Sequence, residues 1–131
     1  MTDKRHVVFV SGRESSRFLA EIPLEGLVAD ERVEKFLIPN SIDKAVAALN
    51  DGFAGCTLIL DPTDLKGDFN CLYDAAEERS TKVIINAGYD PFSLPGFILD
   101  GLQRGARYVR RESVHFASPD SFYNAFLQEA A

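Results

Sequence analysis

The sequence predicts a single α/β domain in which five strands alternate with five helices around a parallel sheet. Its 131 residues fit one domain, and residues 1–131 are assigned to that domain as a whole. Five short apolar runs of strand length recur along the chain, and stretches with helical spacing separate them. Parallel strands need such helical crossovers. The alternation therefore favours a doubly wound open sheet with helices on both faces.

The predicted strands are short apolar runs, and the first of them is continuous rather than alternating. Continuous runs are typical of strands that helices cover on both faces. The five strands are predicted at residues 7–10, 33–38, 56–60, 82–85 and 106–109. The second run is the most ambiguous of the five.

The first helix is predicted at residues 15–22. Its apolar residues Phe18, Leu19 and Ile22 share one face, which we expect to point into the core. Pro23 then disturbs the helical pattern, because proline lacks the backbone N–H and clashes with the preceding turn. The residues between Pro23 and the second strand are therefore predicted to be irregular.

The other four helices are marked by capping residues as well as by apolar spacing. Ser41, Asp68 and Ser118 are suited to cap helix N-termini, and Gly52 and Gly105 are suited to end the second and fourth helices. The helices are predicted at residues 42–50, 69–79, 93–104 and 119–130. The expected buried stripe of the last helix is Phe122, Phe126 and Leu127.

Composition and charge exclude several classes of function. The net charge of −6 and the pI of about 4.8 argue against a nucleic-acid partner and against an anionic membrane surface, because both need clustered Lys and Arg. The sequence has neither a signal-peptide pattern nor the run of ~20 apolar residues that spans a bilayer. Cys56 and Cys71 show no metal or redox spacing. We therefore expect a cytoplasmic protein with reduced thiols.

Chemistry in a doubly wound sheet is found at the carboxyl ends of the strands. Asp61 follows the third predicted strand and has two interpretations. It is either a nucleophilic carboxylate at the mouth of the crevice or a turn-capping aspartate before Pro62. The loop from Ser11 to Ser16 is either a tight turn with a serine cap or a nucleotide or flavin site. Because the loop matches neither glycine-rich phosphate motif, the tight turn is favoured.

Five segments together resemble the receiver (CheY-like) domain of bacterial two-component signalling, over essentially the whole chain. They are residues 6–14, 41–49, 57–61, 83–87 and 105–111, the last of which is similar to the family's "GA..Y..K" segment. The resemblance implies a flavodoxin-like fold with strand order 2-1-3-4-5, written (βα)5. It also implies a response-regulator role in signal transduction, without enzymatic activity.

The resemblance further assigns positions in a phosphorylation pocket. Asp61 matches the phosphoacceptor, Asn86 stands where the family has Thr or Ser, and Arg111 stands where it has Lys. Ser11 and Gly12 replace two acids of the family's Mg²⁺ site. A hard cation such as Mg²⁺ is held by carboxylates together with phosphate oxygens and waters. The pocket is therefore expected to bind Mg²⁺ poorly.

Two arginines suggest what replaces the metal. Arg13 or Arg111 is expected to pair with Asp61 and to occupy the position of the cation. The sequence thus predicts a pseudo-receiver that acts by protein–protein interaction, has no cofactor and undergoes no Mg²⁺-dependent phosphorylation. Two alternatives stay open. One is a phosphorylatable receiver that uses Asp61 with a weak Mg²⁺ site, and the other is a small-molecule- or cofactor-binding flavodoxin-like domain.

The expected interaction face combines the fourth helix, the fifth strand and the fifth helix. Receivers commonly dimerise or dock partners there, so the resemblance implies other signalling proteins, or a second copy of the chain, as partners. A basic cluster near this face is either a solvated edge or an anion or protein contact; it consists of Arg104, Arg107, Arg110 and Arg111. The candidate contact or support residues are Phe97, Leu102, Arg107, Tyr108, Arg110 and Phe122.

Overall fold

The sheet has five parallel strands in the order β2-β1-β3-β4-β5. The computed structural model describes residues 5–53, 55–90 and 92–128. The strands are β1 (Arg5–Ser11), β2 (Val33–Leu37), β3 (Thr57–Asp61), β4 (Lys82–Ala87) and β5 (Arg107–Arg110). This arrangement confirms the predicted fold class and strand order, with strand ends that differ from the prediction by one or two residues.

Five helices connect and follow the strands. They are α1 (Glu14–Ala29), α2 (Ile42–Asn50), α3 (Phe69–Glu78), α4 (Gly96–Gln103) and α5 (Pro119–Phe122). The last helix continues as a π-helical turn over Tyr123–Leu127, and Gln128 is extended. The predicted end of this helix, at residue 130, lies outside the described residues. None of the described helices is long and apolar enough to cross a membrane.

The core has two layers, one on each face of the sheet. One layer packs α2, α3 and α4 against Val8, Val10 and the even-numbered positions of β3. The other packs α1, α5 and the π-helical turn against Val7, Phe9 and Ile59. Successive side chains of a strand point to opposite faces. Covering both faces therefore explains why the strand sequences are continuously apolar.

Helix α1 differs most from its prediction. It runs for 16 residues straight through Pro23, and the expected inner residues Phe18, Leu19 and Ile22 are 66%, 48% and 44% exposed. The buried face is instead formed by Ala20, Pro23, Leu24 and Leu27. These four positions have helical spacing, but the stripe is visible only when the helix continues past the proline. Burial of Leu24 and Leu27 on the sheet outweighs the backbone hydrogen bond that proline removes.

The N-terminal caps predicted for α2, α3 and α5 are confirmed, whereas the serine cap expected in the loop before α1 is not, since Arg13 is the N-cap there without a side-chain hydrogen bond. Ser41 Oγ accepts a hydrogen bond from the Lys44 N–H, Asp68 from the Asn70 N–H, and Ser118 from the Ser121 N–H. Each side chain satisfies a donor that the first helical turn leaves without a partner. Local side-chain chemistry therefore fixes three of the five helix starts.

Helix α4 begins at Gly96, three residues later than predicted, because Pro95 is its N-cap. A proline disfavours the helical conformation of the residue before it. Its end was predicted correctly within one residue: Gly105, at φ +96°, follows the C-cap in the left-handed conformation that glycine adopts at little cost.

We expect two alanine substitutions to separate the true and the predicted inner faces of α1. Leu24→Ala removes a fully buried side chain and should lower the free energy of unfolding by about 2 to 5 kcal/mol. Phe18→Ala removes a mostly exposed one and should change it by no more than about 0.5 kcal/mol. Urea unfolding followed by circular dichroism measures both. Equal losses would contradict the buried stripe.

Candidate functional site

Asp61 is the last residue of the central strand β3, and it lies in register with Ser11 at the end of β1. Its side chain is only 3% exposed. Because parallel strands end at the same edge of the sheet, the loops that follow β1, β3 and β5 converge around this carboxylate. A buried charge at this place has to be compensated by its neighbours.

The carboxylate of Asp61 accepts four hydrogen bonds. Oδ2 accepts one from Ser11 Oγ at 3.1 Å. Oδ1 accepts one each from the Thr63 backbone N–H at 3.1 Å, Thr63 Oγ1 at 2.7 Å and Arg111 Nη2 at 2.9 Å. A carboxylate offers about four lone-pair sites. Oδ1 is therefore saturated by three donors, whereas Oδ2 accepts one hydrogen bond, from Ser11.

Arg111 provides the charge that compensates Asp61. It lies in a short 3₁₀ turn, Arg111–Ser113, directly after β5, and its guanidinium reaches back to β3. The same Nη2 also donates to Thr63 Oγ1 at 2.7 Å. Of the two arginines that the sequence offered as partners of Asp61, Arg111 makes the ion pair. Arg13 lies instead 3.8 Å from Asp64, where both side chains are largely exposed.

Gly12 lets the loops after β1 and β3 close on each other. Its N–H donates to the Thr63 carbonyl at 3.0 Å, and a Cβ atom at this position would lie 1.9 Å from the Asp64 carbonyl oxygen. No side chain, and so no carboxylate, fits at residue 12 unless the backbone moves. Among the described residues, no group of three or more His, Cys, Asp or Glu side chains is placed to hold a metal ion.

Asn86 and Tyr108 tie the end of β4 to β5. Asn86 is buried, and its Nδ2 donates to the Val109 carbonyl at 2.9 Å. The Tyr108 hydroxyl donates to the Ala87 carbonyl at 3.0 Å and accepts from the Tyr89 N–H at 3.1 Å. The Asn86 amide therefore stabilises the pairing of β4 with β5, and the Tyr108 hydroxyl stabilises the β4–α4 loop. The Asn86 amide is directed to β5 rather than to Asp61.

The predicted basic cluster does not act as one unit, because its four arginines have separate partners. Arg104 pairs with Asp74 at 2.5 Å and with Glu77 at 2.7 Å, contacts that raise the pKa of its guanidinium and lower that of the Glu77 carboxyl. Arg107 donates to the Ala125 carbonyl at 2.6 Å. Arg110 pairs with Glu112 at 2.5 Å, and Arg111 with Asp61.

The predicted interaction face is only partly at the surface. Phe97 and Leu102 are half-buried, and the Phe97 ring stacks on Phe69 with centroids 4.3 Å apart. Phe122 is fully buried against Phe126 on the α1 side of the sheet. Of the two roles predicted for it, contact or support, direct contact with a partner is ruled out, and its prediction as part of the buried stripe of α5 is confirmed.

Thr63 is the site residue that the sequence analysis missed. Its backbone N–H and its hydroxyl both bind the carboxylate two residues before it. An aspartate that accepts from the backbone two residues on forms an Asx turn, for which Asp and Asn are preferred. The segment Asp61-Pro62-Thr63 carries that signal. Each interpretation of Asp61 was therefore right in one feature. The carboxylate caps the turn, as one predicted, and it lies at the crevice, as the other predicted.

The fold is shared with three solved receiver domains. The isolated receiver domain of RcsB from Salmonella enterica serovar Typhimurium, determined with the phosphomimetic BeF₃⁻, is 18% identical over 84% of this chain and 79% of its own, with a TM-score of 0.61. The chemotaxis protein CheY4 of Vibrio cholerae is 14% identical over 93% and 95%, with a TM-score of 0.62. A LuxR-family DNA-binding response regulator from Staphylococcus aureus is 16% identical over 92% and 98%, with a TM-score of 0.64.

At these identities the likeness establishes the fold. No family model and no curated protein matches the sequence. The structural resemblance therefore agrees with the receiver-like segments of the sequence, while the chemistry of this chain has to be argued from its own residues.

We expect the ion pair between Asp61 and Arg111 to be energetically coupled. In a double-mutant cycle with Asp61→Asn and Arg111→Gln, the coupling in the free energy of unfolding should be about 1 to 2 kcal/mol, because one partner is buried and hydrogen-bonded. Arg13→Gln with Asp64→Asn is the matched control: that exposed pair should show about 0.5 kcal/mol or less. Equal coupling in the two cycles would contradict the geometry of the site.

Proposed function

We propose that this chain is a receiver-like signalling domain that acts by binding other proteins, and that Asp61 does not undergo Mg²⁺-dependent phosphorylation. The observation that carries the proposal is the occupied carboxylate: Asp61 holds four hydrogen bonds, one of them from Arg111. The first part rests on the fold and on the receiver-like segments. The second rests on the local contacts.

Phosphoryl transfer to Asp61 would need a carboxylate oxygen that is free to attack. The attacking and leaving oxygens must lie in line with the phosphorus, and positive charge must offset the developing negative charge. Here Oδ1 already accepts from three donors and Oδ2 from the Ser11 hydroxyl. An incoming phosphodonor would have to displace the Arg111 and Thr63 donors to reach Oδ1, or the Ser11 hydroxyl to reach Oδ2.

Binding of Mg²⁺ at Asp61 is opposed by charge and by space. Mg²⁺ requires oxygen ligands in near-octahedral geometry. Arg111 Nη2 lies 2.9 Å from the carboxylate and would repel a divalent cation at short range. The closed contact between Gly12 and the Asp64 backbone occupies the neighbouring space in which a second carboxylate would stand.

The contacts around β5 favour a surface that keeps a single conformation over a surface that changes its conformation. The Tyr108 hydroxyl holds the β4–α4 loop through Ala87 and Tyr89, and Arg111 holds the turn after β5 against β3. Movement of either element would leave polar groups without partners. We therefore infer that the α4–β5–α5 face is presented constitutively. Its accessible members are Arg107 and Arg110, with Phe97, Leu102 and Tyr108 as half-buried support.

The expected partners are other signalling proteins or a second copy of the chain. Arg110 is accessible, with 62% of its side chain exposed, and it pairs with Glu112. Rim arginines contribute to association rate and specificity more than to affinity. Arg107 is exposed and donates to a backbone carbonyl, which leaves its positive charge in place. That charge favours an acidic surface on the partner.

We expect purified protein to show no phosphorylation at Asp61. With acetyl phosphate and millimolar Mg²⁺, intact mass spectrometry should detect no phosphoryl adduct, and Mg²⁺ with BeF₃⁻ should not shift the NMR signals of Ser11, Asp61 and Thr63. A 1:1 Mg²⁺ isotherm together with an adduct that Asp61→Asn removes would establish the phosphorylatable alternative instead. A bound chromophore or extra mass in the purified protein would support the cofactor-binding alternative.

We expect a photo-crosslinking amino acid at position 110 to capture a partner in the native cell. The product should be a single species, either a dimer of the chain or one signalling protein, because the position is exposed on the proposed face. Position 66 is the matched control, since Lys66 is an exposed cation on the loop before α3. Capture from position 66 as strong as from position 110, or from neither, would contradict the assigned face.

A further inference from the structure

We propose that the amino end of the sheet carries a binding site for a small organic anion with an apolar body. A cavity of about 570 Å³ lies there, between α3 and α4 on one side and the π-helical turn on the other. Small-molecule sites have volumes of about 300 to 1,000 Å³. The cavity is at the opposite edge of the sheet from Asp61, so the proposal is independent of the function proposed for that site.

The cavity exists because β5 starts late. Arg107, the first residue of β5, lies opposite Ile84, the third residue of β4. Just before β5 the chain is drawn away towards α4, where the Ala106 N–H donates to the Gly101 carbonyl at 3.0 Å. Space is therefore left beside the first residues of β4, and the sheet forms its floor.

Two guanidinium groups line this space without a carboxylate partner among the described residues. Arg5 donates to the Leu127 carbonyl, and Arg107 donates to the Ala125 carbonyl at 2.6 Å. Both acceptors belong to the last helical turn, whose carbonyls have no partner within the helix. A carbonyl holds a guanidinium in position but leaves its positive charge in place. Since an arginine has five N–H donors, each keeps donors for a ligand.

The opposite wall has no net positive charge. Arg104 also lines the cavity, but Asp74 and Glu77 already pair with it. The ligand's charged group is therefore expected on the side of Arg5 and Arg107. Two arginines recognise a carboxylate, sulfonate or phosphate group through parallel hydrogen bonds.

The rest of the lining is suited to an apolar body. Val83, Ile84, Ala106 and Phe126 contribute to it, and an apolar wall with a few polar groups is typical of ligand sites. Thr81 also belongs to the lining.

The test uses 8-anilinonaphthalene-1-sulfonate, an aromatic sulfonate whose fluorescence rises in apolar surroundings, with the full chain. We expect saturable 1:1 binding, with NMR shifts confined to residues 81–84, 101–107 and 125–128. The neutral analogue N-phenyl-1-naphthylamine should bind about tenfold more weakly, because it lacks the group that the arginines contact.

Variants separate the proposed site from other surfaces. Arg107→Gln and Arg5→Gln should each weaken binding by about tenfold. Arg17→Gln should leave it unchanged, although Arg17 also donates to a backbone carbonyl, that of Ser11, at the other end of the sheet. Ala106→Phe, which fills the cavity without a change of charge, should abolish binding; a preserved NMR spectrum checks that each variant is folded.

The exposed apolar residues of α1 are the rival site for such a probe. Shifts that map to Phe18, Leu19 and Ile22, with binding lost in Phe18→Ser and kept in Arg107→Gln, would overturn the proposal. Equal affinity for the sulfonate and for the neutral analogue would overturn it as well, as would the absence of any saturable binding.

Discussion

The contacts at the carboxyl edge of the sheet depend on the buried carboxylate of Asp61. An ionised carboxylate without partners is very costly to bury, and this one ends the central strand with its side chain 3% exposed. Its compensation has to come from another element, and it comes from Arg111, beyond β5. Because the guanidinium also contacts Thr63, a single network joins the ends of β1 and β3 with the turn after β5.

The residues around Asp61 are consistent with one another once the charge is balanced by an arginine. A metal site needs further acids to hold the cation, and those acids would repel each other without it. Here the neighbouring positions are Ser11, whose hydroxyl donates to the carboxylate, and Gly12, which lets the Asp64 backbone approach. Gly12 offers no side-chain ligand and Ser11 offers no negative charge to a cation, and both suit a neutral pair. Ser11, Gly12 and Arg111 thus form one consistent arrangement around Asp61, in which an arginine balances its charge.

The sequence predicted what depends on local patterns and missed what depends on distant partners. The strands and caps followed from apolar runs and capping residues, and the strand order followed from the resemblance to receiver domains. The predicted inner face of α1 was wrong because the predicted helix ended before Pro23. The observed helix continues past the proline, and its buried stripe includes Leu24 and Leu27. The sequence offered Arg13 and Arg111 equally as partners of Asp61, since each follows a strand. The structure distinguishes the two, because Arg13 lies near Asp64 instead of Asp61. For the same reason the sequence did not show that the arginines of the basic cluster have separate partners: the acids that pair with Arg104 lie on α3, about thirty residues earlier in the chain.

Arg111 at one end of the sheet and Arg5 and Arg107 at the other end have different kinds of partner. At the carboxyl end, Arg111 meets a full negative charge, so the pair is neutral and its donors are directed inward. At the amino end, Arg5 and Arg107 meet only backbone carbonyls, which orient a guanidinium without cancelling its charge. Ligands of doubly wound sheets usually bind at the carboxyl ends of the strands, where positive charge and space are left over. In this chain the crevice around Asp61 is closed and its charge is balanced by Arg111, whereas Arg5 and Arg107 line an open volume at the other end. The proposed anion site therefore lies away from the usual position, and the difference follows from where each of these arginines finds its partner.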